Sequence, residues 1–205
     1  MPVLELIVSV AAADPGEDGL YRNQTPDSEI RTYLRVARNH DALLLLDIQP
    51  GRSSFAAEVA RLDRYLREPD VGLALDPEWH VGPDEIPGQV IGSVDIETVN
   101  RISASLAAVT QREQLPEKLF VIHQFTVGMI GDRDQLVVRP GLATVINVDG
   151  FGDQPSKIAK YHDLHPPESS GLGSGIKLFY NEDIDLMSPD QVLKLRPEPD
   201  LIVYE

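Results

Sequence analysis

Residues 71–80 read VGLALDPEWH. Five uncharged residues run into Asp76, Pro77, Glu78 and then Trp79, the one tryptophan of the chain. An uninterrupted apolar run of this length suits a strand covered on both faces, which is the habit of parallel sheets. Two carboxylates around a proline then mark the place where that strand leaves the core.

Outward from this stretch the pattern repeats. Apolar runs occupy 3–10 (VLELIVSV), 42–48 (ALLLLDI), 118–125 (KLFVIHQF), 142–149 (LATVINVD), 175–180 (GIKLFY) and 201–205 (LIVYE), making seven with 71–76. Between them lie amphipathic segments. Phe55, Val59, Leu62 and Leu66 recur at helical spacing behind Ser54, and Ile96, Val99, Ile102, Leu106 and Val109 form a stripe behind Asp95. Ser188-Pro189-Asp190-Gln191 spells a capping box with proline at the first helical position. A further helix is expected over 28–39, opened by Asp27 or Ser28, and short helices are candidates at 129–138 and 155–164. Strand and helix in alternation mean right-handed βαβ units on a parallel sheet. Residues 1–205 show no linker or repeat and read as one domain. The expected fold is α/β and TIM-barrel-like, with seven strands visible where a closed barrel has eight. The chain opens directly in a strand, so the expectation is either a complete fold or one lacking its first β/α unit.

The formal net charge of −15 repels phosphate backbones and anionic lipid, so nucleic acid and membrane surfaces are not expected partners. No apolar run approaches the ~20 residues needed to span a bilayer. No signal peptide pattern is visible. The absence of cysteine excludes disulfides, thiolate metal sites and a cysteine nucleophile. Oligomeric state is not legible.

Polar residues gather at the C-terminal ends of the runs: Asp47 and Gln49, Asp76 and Glu78, His123 and Gln124, Asn147 and Asp149, Tyr180 and Glu182. In barrels and open α/β sheets that edge is where ligands bind. Asp76 and Glu78, two apart on an extended chain, are expected on one face. Close carboxylates repel, so one retains its proton near neutrality. A general acid beside a second carboxylate is the equipment of glycoside hydrolysis. Glu78 is the expected acid, Asp76 its partner, and Asp47 or Asp149 a base or charge stabiliser. Trp79, Gln49, His123, Gln124, Tyr180 and Glu182 are candidate contacts to a carbohydrate or other small polar substrate. The same carboxylates with His123 make an O/N set suited to a divalent metal. No His-x-His or His-Glu-x-x-His motif accompanies them, and no cofactor is called for. A metal-assisted hydrolase and a non-catalytic carbohydrate-binding barrel are the other readings. Gly171–Gly175 precedes a strand rather than a helix and makes a poor phosphate cradle.

The strand Gly72-Leu-Ala-Leu-Asp76-Pro-Glu78 resembles the second half of the D-G-x-D-x-D-x-E strand of chitinase-like glycosidase barrels. That resemblance implies Glu78 as acid and Asp76 as the residue orienting it. Val71 and Ala74 stand where the motif has its first two aspartates. Over most of the chain, LLLLDIQPGRSSF, VGLALDPEW, IGSVDIETVN, KLFVIHQF, VDGFG and KLFYNEDIDLMSPDQ look like actinobacterial secreted or lipoprotein-type proteins that resemble glycosidase-superfamily TIM barrels. This likeness implies an upstream strand unit, an export signal and a cell-envelope location.

Overall fold

The computed structural model describes residues 1–205. All seven apolar runs form strands: β1 (Val3–Ala11), β3 (Leu43–Ile48), β4 (Val71–Leu75), β6 (Lys118–Gln124), β8 (Leu142–Val148), β9 (Gly173–Leu178) and β10 (Leu201–Tyr204). They lie parallel in the order β10-β9-β8-β6-β4-β3-β1. An eighth strand, β2 (Arg22–Gln24), pairs antiparallel with Ser9–Ala11 of β1. Two two-residue strands, β5 (Val94–Asp95) and β7 (Ile130–Gly131), pair with each other outside this sheet.

The helices are α1 (Asp27–Asn39), α2 (Phe55–Arg61), α3 (Asp63–Leu66), α4 (Ile96–Arg112), α5 (Gln154–Leu164) and α6 (Pro189–Val192). Ser54 accepts a hydrogen bond from the Ala57 N–H, and Asp95 accepts one from Thr98 at 2.6 Å. The Gln191 side chain reaches back to the Ser188 N–H at 2.9 Å. Asp27 is itself helical and Pro26 occupies the cap position, so α1 starts on a proline instead of the expected Asp27 or Ser28 cap. Segment 129–138 holds β7, the end of one 3-10 turn (Val127–Met129) and a second (Arg133–Gln135) instead of an α-helix, whereas 155–164 falls within α5, capped by Asp153. No helix is long and apolar enough to cross a membrane.

The sheet is curled. Glu5 on β1 and Lys177 on β9 are five strand-to-strand steps apart, about 24 Å if the sheet were flat. Their charged atoms are 3.7 Å apart. The concave side is therefore an interior, and the helices pack on the convex side. Leu44, Leu46, Leu73, Leu75, Phe120 and Ile122 face the helices and join Ile30, Leu34, Phe55, Val99 and Leu106 in the main core. Each such side chain contributes about 1.5–3 kcal/mol by burial. On the concave side Leu45, Ala74, Val121, Val145 and Leu201 form a small apolar layer with Val3, Leu119 and Val203. Burial on both faces is why these strands read as continuous apolar runs.

A closed barrel does not form. The sheet is an open half-barrel whose edges are β10 and β2. Closure needs parallel hydrogen bonds between the first and last main strands. Instead β1 carries the antiparallel β2 on its free side, and β10 pairs with β9 alone. A groove of about 680 Å³ separates Met1–Ile7 from Pro199–Glu205.

Candidate active site

Side chains two residues apart on a strand share a face. Two residues beyond the concave apolar layer the strands therefore present Asp47 after Leu45, Asp76 after Ala74, His123 after Val121, Asn147 after Val145 and Lys177 after Gly175. Glu5 joins them from β1 and Asp149 from the end of β8. Gly175 has no Cβ because one there would stand 2.6 Å from the Asn147 Oδ1.

At the centre is His123, fully buried. Its Nδ1 lies 3.2 Å from an Asp149 oxygen and 3.2 Å from the Asn147 amide nitrogen. Its Nε2 lies 3.5 Å from Glu5 and 3.8 Å from Asp47. Burial pushes the imidazole pKa down, but Asp47, Asp149 and Glu5 outweigh it and hold the ring well above its ordinary range. Asp47 is fully buried and is raised to about 6, by burial first and by Glu5. For Asp76 burial and the charges of Asp47, Asp149 and Glu78 act together and raise it far above a normal carboxylate.

Above this layer opens a hollow of about 500 Å³. Asp76, Glu78 and Asp149 line it, and one oxygen from each lies within 4.8 Å of the others. Burial, then Asp149, pushes Glu78 up to about 7. Gln49 donates to Asp76 at 3.3 Å and holds its own carbonyl on the Ala11 N–H. Trp79, Phe125, Phe151 and Phe179 add aromatic walls; Phe151 is 65% exposed, an aromatic ring left open to solvent beside the acids. Glu182 and Asn181 come from the loop after β9.

The structure changes several expectations. The strand ends at Leu75, and Glu78 rides on a 3-10 turn, Pro77–Trp79, not on the strand itself. The turn still delivers Asp76 and Glu78 to one hollow. Asp47 and His123 lie beneath the floor rather than in the lining. Gln124 does not meet the hollow. One residue past His123, it faces the opposite side, accepting from Arg133 at 2.6 Å and donating to the Thr126 carbonyl. Tyr180 likewise lies outside the lining, its ring 5.8 Å from that of Tyr204. Glu5, Lys177, Lys160 and Glu205 were not among the expected residues. The first two carried a signal, since each is a lone charge inside an apolar strand.

The turn that carries Glu78 is fixed from behind by Gly92, whose N–H donates to the Glu78 carbonyl at 2.7 Å. A Cβ on Gly92 would stand no farther than 2.7 Å from the carbonyl oxygens of Pro77, Glu78 and His80. Gly92→Ala is expected to cost about 1–3 kcal/mol in forced movement. Because Trp79 is the one tryptophan, its fluorescence reads this displacement directly; an unshifted emission spectrum would contradict the placement. No family model, curated protein or solved structure matches the chain.

Proposed function

We propose that the hollow hydrolyses a glycosidic bond, with Glu78 as general acid. The observation that supports this most is the convergence of Asp76, Glu78 and Asp149 within 4.8 Å beneath aromatic walls, with Glu78 half-protonated near neutral pH. Glu78 gives its proton to the leaving oxygen as the glycosidic C–O bond breaks. The Asp149 carboxylate attacks the anomeric carbon from the other side and forms a glycosyl ester. Water then attacks that carbon, Glu78 takes the water's proton, and Asp149 leaves as carboxylate. Asp76, held far above a normal carboxylate by burial and by its acidic neighbours, favours its protonated form and so limits the charge that the three carboxyl groups carry together. Trp79 and Phe151 offer the apolar faces on which sugar rings stack.

Carboxyl groups about 5–5.5 Å apart belong to retaining hydrolysis, whereas inversion needs about 6.5–9.5 Å to admit a water. The expected outcome is a product with the anomeric configuration of the substrate, read by proton NMR within the first turnovers. Cell-wall glycans are the first substrates to test, in line with the resemblance to envelope proteins, by release of reducing ends. Glycan binding with no reducing ends released would replace catalysis by a carbohydrate-binding role, and an inverted product would remove Asp149 as nucleophile.

A further inference from the structure

Beneath the hollow lies a second arrangement that the hydrolytic reading leaves unused. We propose that Glu5, Asp47 and His123 bind one divalent transition-metal ion of the zinc or manganese kind. One atom from each residue lies within 4.8 Å of the others. The Asp47 Oδ1 accepts the Ile48 N–H at 2.8 Å, which fixes the carboxylate and leaves its Oδ2 buried with no partner. The His123 Nε2 and both Glu5 oxygens are also buried and without a hydrogen-bond partner. Asp47 and His123 are each 0% exposed, so bulk solvent does not reach these atoms.

The spacing fits an ion better than direct hydrogen bonds. At 3.5 and 3.8 Å from Glu5 and Asp47, the Nε2 is too far for good donation. Two ligands each about 2.1 Å from a tetrahedral ion lie about 3.4 Å apart. The other ring nitrogen is equipped as metal-bound histidines are, with a carboxylate oxygen of Asp149 3.2 Å from Nδ1. Turning the Asn147 amide over would bring its unpartnered Oδ1 to the same N–H. Two carboxylates and an imidazole favour a borderline ion over Mg²⁺ or Ca²⁺, which prefer oxygen alone.

One group opposes the ion. Lys177 stands 3.7 Å from the same Glu5 oxygen and also pairs with Glu205. It acts as a built-in competitor for Glu5, and its removal should therefore tighten binding.

The test is calorimetric titration of the full chain, stripped with chelator, with Zn²⁺ and separately Mn²⁺, with manganese EPR as a second readout. One ion per chain is expected. Glu5→Gln and Asp47→Asn should each weaken binding by at least about tenfold, as should Asp149→Asn through the ring it orients. Lys177→Met should strengthen it, a change that loss of structure does not produce, and this holds as a test even if a variant at Asp47 folds poorly. Glu78→Gln should leave the affinity unchanged. No binding by the unaltered chain overturns the proposal. So does equal affinity in Glu5→Gln and Asp47→Asn, and so does weakening by Glu78→Gln, which would move the ion up to the Asp76–Glu78–Asp149 cluster.

Discussion

Replacing Glu78 by glutamine is expected to lower glycan turnover by about 10³-fold while binding persists, within the usual range for loss of a general acid. Glutamine keeps the size and polarity of the side chain and gives up only the transferable proton. The pH dependence follows from the position of Glu78 at about 7. The proton is present below that pH, so turnover should be maximal on the acid side and fall about tenfold per unit above pH 8. Stability should move the same way. A carboxyl whose folded pKa is raised binds its proton more tightly in the folded chain, so folding is favoured below the unfolded value near 4.5 and loses that advantage as pH climbs to about 7. Glu78 is partly exposed, which reduces the effect to about 1–2 kcal/mol. The glutamine variant should therefore melt higher than the unaltered chain at pH 8, and the two should converge at pH 4.5. Retained turnover in Glu78→Gln would take the acid's role from this residue.

Lys157→Met is expected to cost about 3 kcal/mol, measured by urea unfolding at neutral pH. Lys157 is buried on α5 and donates to the carbonyls of Gly150 at 3.0 Å and Lys177 at 2.8 Å. It also pairs with Asp183 at 3.0 Å, both side chains being nearly solvent-free. Asp183 in turn accepts the N–H groups of Gly152 at 3.0 Å and Phe179 at 2.9 Å. Methionine fills much of the space and removes the charge. It leaves a buried carboxylate and two carbonyls without their cation, and breaking such a pair costs about 3–5 kcal/mol. The two backbone N–H groups still on Asp183 keep the loss toward the lower figure. Because the same lysine ties the end of β8 to the end of β9, glycan affinity should fall as well. An unfolding midpoint equal to that of the unaltered chain would show that the cation does not hold these loops.

Much of this is legible in the amino-acid sequence. A strand buried on two sides leaves a continuous apolar run, so the seven main strands announce themselves, and the caps at Ser54 and Asp95 fix two helix starts. β2 is invisible because Arg22, Asn23 and Gln24 carry no strand pattern; only the edge of β1 makes them a strand. Closure could not be read at all, since it depends on whether residues some 200 positions apart hydrogen-bond. The expectation of Asp47, Asp76, Glu78, His123 and Asp149 at one end of the sheet holds because strand parity and a common polar edge are local properties. Gln124 and Tyr180 were lost to the same parity, each sitting one residue past an inward-facing neighbour. Glu5 and Lys177 went unread because they stand inside strands and not at the ends where ligands were sought.

Among the seven parallel strands, order across the sheet equals order along the chain. As the chain leaves the ribosome, each new strand can therefore dock on one already made, and assembly can proceed from one end without rearrangement. The charged groups of the concave side arrive in the same order: Glu5, Asp47 and Asp76, then His123, then Asp149, and Lys177 after them. The nascent half-barrel thus gathers its carboxylates and its imidazole before its lysine, so the charge balance of the interior is completed only when β9 docks.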